Sequence, residues 1–343
     1  GGLGLLASII GVLLARVGAH GNPGRALNTG TYVTNIIFAV LTLAATLIFK
    51  FELRYWLAAF VGMLAGVIIG FTSEIFTSDE GKPVQLVAKA SATGPAFTII
   101  SGFSYGLLSV FPPLVGIGGA ALAAYKICEP LGGQAPLLGI ALSAIGMLSV
   151  VGMIISNDAY GPIVDNARGL AEMGKLGDDI VEITDTLDSA GNTAKAITKG
   201  FAIGAAGLTV IALLAAYQEI LLAAGVELVF DIMNPLIFFG LLVGAAIPAV
   251  FSAMLMLGVD RNAQRMVAEI HRQFDEIPGL REGKEGVRPD YEKCIDIATV
   301  GAIKELIPAG LMAILATLAV GFIGGVAAIA GFLTGNIVSG EEA

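Results

Sequence analysis

The feature that most constrains this chain is a succession of apolar stretches, each suited to crossing a lipid bilayer. A membrane-spanning helix needs about 20 predominantly apolar residues. Such windows cover residues 3–18, 32–49, 55–72, 95–125, 135–156, 200–217, 234–258 and 306–326, and another apolar stretch begins near Ala327. The sequence therefore predicts an all-α, polytopic transmembrane helical bundle with about eight spanning helices and a truncated ninth.

Composition supports a membrane protein and excludes several other classes. The mean hydropathy is +0.84, and only 14% of the residues are charged. The 46 glycines indicate helices that pack closely in lipid. No basic run accompanies the net charge of −9, so we expect no nucleic-acid partner. Cys128 and Cys294 are too far apart for a disulfide framework, and His20 and His271 have no partner histidine at metal-ligand spacing.

Orientation follows from the distribution of basic residues. Of the 19 Lys and Arg residues, only Lys50, Arg54 and Lys126 fall on one side of the predicted helices. Because basic residues concentrate on the cytoplasmic side, the opposite side is predicted to face the cytoplasm. No soluble insertion separates the spans, so we expect one transmembrane domain over residues 1–343. The chain starts without Met and ends inside an apolar stretch, which suggests a piece of a longer polypeptide.

Two stripes of polar residues interrupt this apolar pattern. Asp158, Asp165 and Glu172 follow each other at steps of seven, directly after an apolar run, and would share one helical face. The second stripe advances in steps of three and four into the sixth span and contains Asp185, Asp188, Asn192, Lys195 and Lys199. Charged groups at a membrane edge are costly, so such stripes indicate functional sites.

Two interpretations of the stripes are open. The charges could simply neutralise each other, as Asp188 with Lys195 or Asp185 with Lys199. Alternatively, carboxylates that suit Mg²⁺ and lysines that suit phosphate could together hold a metal-bound phosphate compound. A P-loop ATPase is excluded because the sequence has no Walker motif.

Several motifs resemble those of the membrane-integral, ion-translocating pyrophosphatases. They are DAYGPIVDN at 158–166, TDTLDSAGNTAKAITKGFAIG at 184–204, HRQFDEIPGL at 271–280, RPDYEKCIDIA at 288–298 and GVIIGFTSEIFTS at 66–78. The similarity covers essentially the whole chain. It corresponds to the family's seventh to fifteenth helices, without the N-terminal and C-terminal ones.

The resemblance implies an inorganic diphosphatase that is coupled to ion translocation. Members of the family are homodimers in the cell membrane that hydrolyse Mg²⁺-pyrophosphate on the cytoplasmic face and pump H⁺ or Na⁺. The expected cofactor is therefore Mg²⁺, and the expected partners are pyrophosphate, protons, the lipid bilayer and a second copy of the chain.

The same resemblance assigns roles to the polar stripes. Asp165 would ligate Mg²⁺ and act in catalysis, and Asn192 would lie close to the pyrophosphate. The supporting polar residues of the site would be Asp158, Asp185, Asp188 and Lys199.

The motif GNTAKAIT at 191–198 bears on whether the protein needs K⁺. In this family, the position of Lys195 is Ala in enzymes that need K⁺ and Lys in those that do not, and Thr is favoured at the position of Thr198 in the second group. A tethered ammonium can supply the positive charge that K⁺ otherwise provides. The chain thus resembles the K⁺-independent proton pumps.

Three departures and several absences qualify the resemblance. Arg168 stands where the family has Gly, Ala194 replaces a Thr, and Ile75 with Phe76 replaces a pair of tyrosines. The family's other Asp-rich elements do not occur in this sequence, so we expect the chain alone to be inactive. A truncated or decayed non-catalytic paralogue and a secondary transporter with a cation/anion site remain as alternatives.

Overall fold

The computed structural model describes residues 1–16, 21–226 and 229–340, and this part of the chain contains α-helices and no β-strand. His20 and the end of the first expected span lie outside the described residues. The helices are α1 Gly2–Leu14, α2 Pro23–Ile48, α3 Leu53–Thr77, α4 Lys82–Ser91, α5 Pro95–Cys128, α6 Ala135–Leu148, α7 Val151–Met173, α8 Asp178–Ala223, α9 Pro235–Glu276 and α10 Tyr291–Gly340, with a short 3₁₀ turn at Glu129–Leu131 after α5.

Seven helical segments of the described chain are long and apolar enough to cross a membrane. They are Pro23–Ile48, Leu53–Ser91, Pro95–Leu131, Ala135–Met173, Asp178–Ala223, Pro235–Glu276 and Tyr291–Gly340. The expected first span is represented by α1, an apolar helix of 13 residues that is too short to count among them. The protein is therefore an all-α, multi-pass integral membrane protein, as the sequence predicts.

The fifth expected span, 135–156, is divided between α6 and α7. The Ser149 hydroxyl donates a hydrogen bond to the Gly146 carbonyl at 2.6 Å, and both residues are buried. Gly4 of α1 packs directly against the Ser149 backbone, where an added Cβ would overlap the carbonyl oxygen. The break between α6 and α7 thus coincides with the place where α1 packs.

The chain divides into two compact units, Gly1–Ile220 and Leu221–Ala343. In the first unit, α3, α5, α6 and α8 enclose a core that includes Ile69, Met147 and Leu208. Helices α3 and α6 approach closely because Gly62 faces the Ser143 backbone and Gly146 faces that of Ala59. Small residues at such crossings are the usual device for packing helices in lipid.

In the second unit, α9 packs against both halves of α10. Gly325 has φ 65° and ψ −162°, a non-helical conformation that favours glycine, and it separates the two halves. The first half runs antiparallel to α9, since Gly301 meets Asn262 and Glu305 meets Gly258. The second half runs parallel to it, since Ala328 meets Gly240 and Phe332 meets Gly244. This second half corresponds to the expected ninth helix that begins near Ala327.

The polar continuation of α9 beyond residue 258 is helical. Its buried face is polar: Glu269 and Gln273 are 7% and 2% exposed. The Gln273 side chain accepts a hydrogen bond from the Asp290 amide at 2.7 Å and donates one to the Asp290 carbonyl at 3.0 Å. The side-chain amide of Gln273 therefore joins α9 to Asp290, the residue before α10.

The tight glycine contact between α3 and α6 yields a stability prediction. A Cβ at Gly62 would overlap the Ser143 carbonyl oxygen, whereas one at Gly118 would meet open space. We expect Gly62→Ala to lower the free energy of unfolding by roughly 1–3 kcal/mol, the usual cost of overpacking. Gly118→Ala is the matched control and should leave stability unchanged or raise it by about 0.5–1 kcal/mol. Thermal unfolding in detergent measures both, and equal effects of the two substitutions would contradict the packing described.

Candidate functional site

Helices α7 and α8, which carry the two polar stripes, touch at two glycines. A Cβ added to Gly191 would lie 2.6 Å from Val164 Cγ2 and 3.0 Å from Gly161 Cα. A Cβ added to Gly161 would overlap the aliphatic stem of Lys195. The absence of side chains at these two positions therefore allows the backbones to approach and leaves room for the lysine stem.

The lysine stem ends between two of the expected site residues. The Lys195 ammonium donates a hydrogen bond to Asn192 Oδ1 at 3.0 Å and lies 3.6 Å from Asp165 Oδ2. The Lys195 side chain is 25% exposed and that of Asp165 is 63% exposed. The structure thus brings Asp165, Asn192 and Lys195 together at a solvent-accessible edge of the α7–α8 pair.

Arg168 forms a second connection between the two helices. Its Nε donates to Asp185 Oδ1 and its Nη1 donates to Glu172 Oε2, both at 2.7 Å. The ion pairs considered from sequence alone were therefore wrong: Asp185 binds Arg168 instead of Lys199, and the ion-pair partner of Lys195 is Asp165 instead of Asp188. The sequence could not choose among these pairs, because several carboxylates share each helical face.

Two further aspartates of the expected site are only partly exposed. Asp188 is half-buried, and its Oδ1 is buried without a hydrogen-bond partner among the described residues. The Tyr160 hydroxyl donates to the Leu187 carbonyl at 3.4 Å, next to Asp188. Asp158 is also half-buried.

Thr198 and Lys199 stand apart from the Asp165–Asn192–Lys195 group. The Thr198 hydroxyl lies 2.9 Å from the Ala194 carbonyl and 3.4 Å from that of Ile154, so backbone carbonyls are its partners. Lys199 is exposed one helical turn beyond Lys195. The structure places neither side chain in a hydrogen bond or ion pair with the other site residues.

The side-chain oxygens of the site can be compared with the ligands that Mg²⁺ uses in proteins. Within the described ranges, no group of three or more His, Cys, Asp or Glu side chains could enclose a metal ion. Mg²⁺ commonly uses only one or two protein carboxylates, together with water and substrate phosphates. The exposed carboxylate of Asp165 and the amide oxygen of Asn192 are oxygen ligands of the kind that Mg²⁺ accepts in proteins.

A set of polar residues that the sequence analysis did not assign lines a cavity of about 50 Å³ among α2, α3, α7 and α8. It includes Asn28, Thr31 and Asn35 of α2, Glu74 of α3 and Asn157 of α7. The signal was present, because Asn28, Thr31 and Asn35 follow each other at steps of three and four within α2. It lies at the start of an apolar span, where a short polar stripe is easily overlooked.

The fold and the site together define a multi-pass integral membrane protein with a charged site on two adjacent helices. The sequence profile of the family described as inorganic H⁺ pyrophosphatase matches residues 1–342, and the chain belongs to this family. This confirms the resemblance seen in the sequence motifs.

Individual relatives carry different ion specificities in their names. A Clostridium tetani protein, provisionally named a K⁺-stimulated pyrophosphate-energized sodium pump, is 44% identical over 96% of this chain and 48% of its own length. A K⁺-insensitive pyrophosphate-energized proton pump of Methanosarcina mazei is 38% identical over 99% of this chain and 50% of its own length. A K⁺-stimulated pyrophosphate-energized sodium pump of Thermotoga maritima is 38% identical over 98% of this chain and 48% of its own length. The chain spans about half the length of these relatives.

The Arg168 bridge yields a prediction that a double-mutant cycle can test. The Arg168 and Asp185 side chains are 38% and 51% exposed, so solvent and salt screen their attraction. We expect a coupling of about 0.2–1 kcal/mol between Arg168→Ala and Asp185→Ala in unfolding experiments. The coupling should fall as the salt concentration rises from about 0.05 to 1 M. A coupling near zero at low salt, or one that salt leaves unchanged, would contradict the bridge.

Proposed function

We propose that this chain forms part of a pyrophosphate-energized proton pump that hydrolyses Mg²⁺-pyrophosphate on the cytoplasmic side and moves H⁺ across the membrane. The observation that carries the proposal is the position of the Lys195 ammonium, 3.0 Å from Asn192 Oδ1 and 3.6 Å from Asp165 Oδ2. Family membership and the names of the relatives support the substrate and the coupling to ion transport.

Three residues do most of the proposed work. The Asp165 carboxylate holds Mg²⁺, and the Asn192 side chain orients the bound pyrophosphate beside it. Mg²⁺ neutralises phosphate charge when it is bound and stabilises the charge that develops as the phosphoanhydride bond breaks. The Lys195 ammonium attracts the polyanionic substrate as a point charge. The contacts of the Lys195 ammonium with Asn192 Oδ1 and Asp165 Oδ2 keep the ammonium beside these two oxygens.

Lys195 also supports independence from K⁺. A potassium ion beside pyrophosphate would contribute one positive charge, and the Lys195 ammonium contributes the same charge without an ion-binding equilibrium. Overall identity does not decide the matter, since relatives at 37% to 44% identity include both K⁺-stimulated and K⁺-insensitive pumps by name. We therefore base the proton-pump, K⁺-insensitive assignment on Lys195, with Thr198 in a supporting position on the same helix.

The remaining stripe residues are proposed to support the site. Asp188 is the strongest of these, because its buried Oδ1 has no partner within the described chain and is available to a metal-bound water. Asp158 and Lys199 add charge along the same two helices. Asp185 positions Arg168 through their hydrogen bond at 2.7 Å.

Hydrolysis of pyrophosphate requires more charge neutralisation than these side chains supply. We propose that other parts of the pump contribute the further carboxylates, and that the working unit is a homodimer.

The Arg168 bridge keeps the non-catalytic paralogue as a second candidate, because a cation that binds Asp185 and Glu172 reduces the negative charge available to metals. A hydrolysis assay of the polypeptide as its gene encodes it decides between the two.

The first functional prediction concerns Lys195→Ala in the polypeptide as its gene encodes it. Removal of the ammonium should lower pyrophosphate hydrolysis in K⁺-free buffer by about 100-fold, the usual effect of losing one electrostatic contact to a developing charge. Added K⁺ should restore most of this loss. Lys175→Ala, which removes an exposed lysine between α7 and α8, is the control and should remain insensitive to K⁺. Activity of Lys195→Ala that K⁺ does not change would refute the charge-replacement role.

The second functional prediction concerns Asp165→Asn, again in the polypeptide as its gene encodes it. Loss of the carboxylate charge should raise the Mg²⁺ concentration for half-maximal hydrolysis by at least about 10-fold, as loss of a partner in a metal site commonly does. Asp179→Asn changes an exposed carboxylate in the first turn of α8 and serves as the control. An unaltered Mg²⁺ dependence in Asp165→Asn would exclude this residue as a metal ligand.

A further inference from the structure

The cavity among α2, α3, α7 and α8 has a lining rich in oxygen atoms and is separate from the Asp165–Asn192–Lys195 group. Its polar lining residues are Asn28, Thr31, Tyr32, Asn35, Glu74, Asn157, Thr193 and Thr198, and the rest of its lining is apolar or glycine. Glu74 is its single acidic residue, and no Lys, Arg or His is among its described lining residues. The formal charge of the lining is therefore negative.

Three asparagine side chains of the cavity donate hydrogen bonds to neighbouring protein atoms. Asn28 Nδ2 donates to Glu74 Oε1 at 2.8 Å, Asn35 Nδ2 donates to the Thr31 carbonyl at 2.9 Å, and Asn157 Nδ2 donates to the Thr31 hydroxyl at 3.2 Å. An Asn side chain offers its amide group as donor and its oxygen as acceptor. Each amide group uses one of its two N–H donors in these bonds, and none of these bonds uses an amide oxygen, so the three amide oxygens are available to a cation.

Asn35 provides the most informative of these oxygens. The residue is 5% exposed, and its Oδ1 is buried without a hydrogen-bond partner in the described chain. A buried polar atom without a partner costs free energy unless a water or an ion satisfies it. Asn157, which is 8% exposed, lines the same cavity and contributes a second buried amide.

The size of the cavity limits what it can hold. One water molecule needs roughly 10–15 Å³ of the volume that a water-sized probe occupies. A cavity of about 50 Å³ therefore accommodates a few water molecules, or a small cation with one or two waters, but not a phosphate compound with its metal ions.

A second pocket of about 180 Å³ adjoins this cavity and shares Gly24, Glu74, Ala190 and Thr193 with it. Asp79 and Glu80, from the turn after α3, line this outer pocket together with Arg25 and Ser78. Two acidic side chains near an entrance attract cations and raise their local concentration. Glu74 lines both pockets and hence lies where the outer one meets the inner one.

We propose that the α2–α3–α7–α8 cavity is a binding site for a small monovalent cation of the size of Na⁺, with Glu74 as its charged ligand and the side-chain oxygens of Asn35, Asn157 and Thr31 as neutral ligands. The outer pocket with Asp79 and Glu80 is the route by which the cation enters. One carboxylate matches the charge of a monovalent ion, whereas a divalent ion would keep one positive charge that no second carboxylate in the described lining neutralises. The cavity lining contains none of Asp165, Asn192 and Lys195, and the test of the cation site uses no pyrophosphate.

The test follows the thermal unfolding midpoint of the polypeptide, as its gene encodes it, in detergent. NaCl replaces choline chloride at constant ionic strength, so only specific binding changes the result. We expect the midpoint to rise by roughly 3–8 °C and to saturate, as ligand binding to the folded state requires. A midpoint that is independent of Na⁺, as a cavity filled only with water predicts, would overturn the proposal.

Variants locate the site. Glu74→Gln keeps the oxygen that accepts from Asn28 but removes the charge, and it should abolish the Na⁺-dependent shift. Thr31→Val removes one neutral ligand and should reduce the shift without the loss of charge. Glu219→Gln is the matched control, because Glu219 is an exposed carboxylate that also accepts from an amide, Gln134 Nε2, at 2.7 Å outside the cavity. A full shift in Glu74→Gln, or a lost shift in Glu219→Gln, would contradict the assignment.

Uptake of a proton in the cavity is the alternative to Na⁺ binding, because a proton would also neutralise the charge of the lining. A midpoint that changes with pH at zero Na⁺ but not with Na⁺ at fixed pH would overturn the metal-ion assignment. A midpoint that saturates with Na⁺ at fixed pH assigns the metal ion. Neither result depends on whether the protein hydrolyses pyrophosphate, so failure here leaves the proposed pump function to its own assays.

Discussion

The close approach of α7 and α8 at Gly161 and Gly191 is the constraint on which the site depends. Because neither residue has a side chain, the backbones pack together and the stem of Lys195 lies against Gly161. This contact positions the ammonium 3.0 Å from Asn192 Oδ1 and 3.6 Å from Asp165 Oδ2. Larger residues at either glycine would push the helices apart and separate the carboxylate of one helix from the ammonium and amide of the other.

Helix α8 contributes to two different polar sites. Asn192 and Lys195 belong to the site at the α7–α8 crossing, whereas Ala190, Thr193 and Thr198 line the cavity shared with α2 and α3. Both sets lie within three turns of one uninterrupted helix. A displacement of α8 that adjusts one site therefore changes the other, which gives a physical route for communication between a cation in the cavity and the charged group on α7 and α8.

The sequence predicts the helices better than it predicts their partners. Long apolar windows identify the spans because the bilayer imposes their length, and the polar stripes of α7 and α8 are visible through helical periodicity. The separation of α6 from α7 was missed, and it lies where α1 packs against Ser149, a long-range contact that a local pattern does not show. The Arg168–Asp185 bridge was also missed, because periodicity defines a helical face but not which of several carboxylates a flexible guanidinium reaches. The cavity lined by Asn35 requires four helices, and no local pattern specifies their assembly.

The central claim is that α7 and α8 together bind metal-bound pyrophosphate through Asp165, Asn192 and Lys195. The most direct test is an experimental structure of the polypeptide, as its gene encodes it, with Mg²⁺ and a non-hydrolysable pyrophosphate analogue. The account predicts the analogue within hydrogen-bonding distance of Lys195, with a magnesium ion on Asp165. An analogue bound elsewhere, with Lys195 still paired only to Asp165 and Asn192, would contradict it.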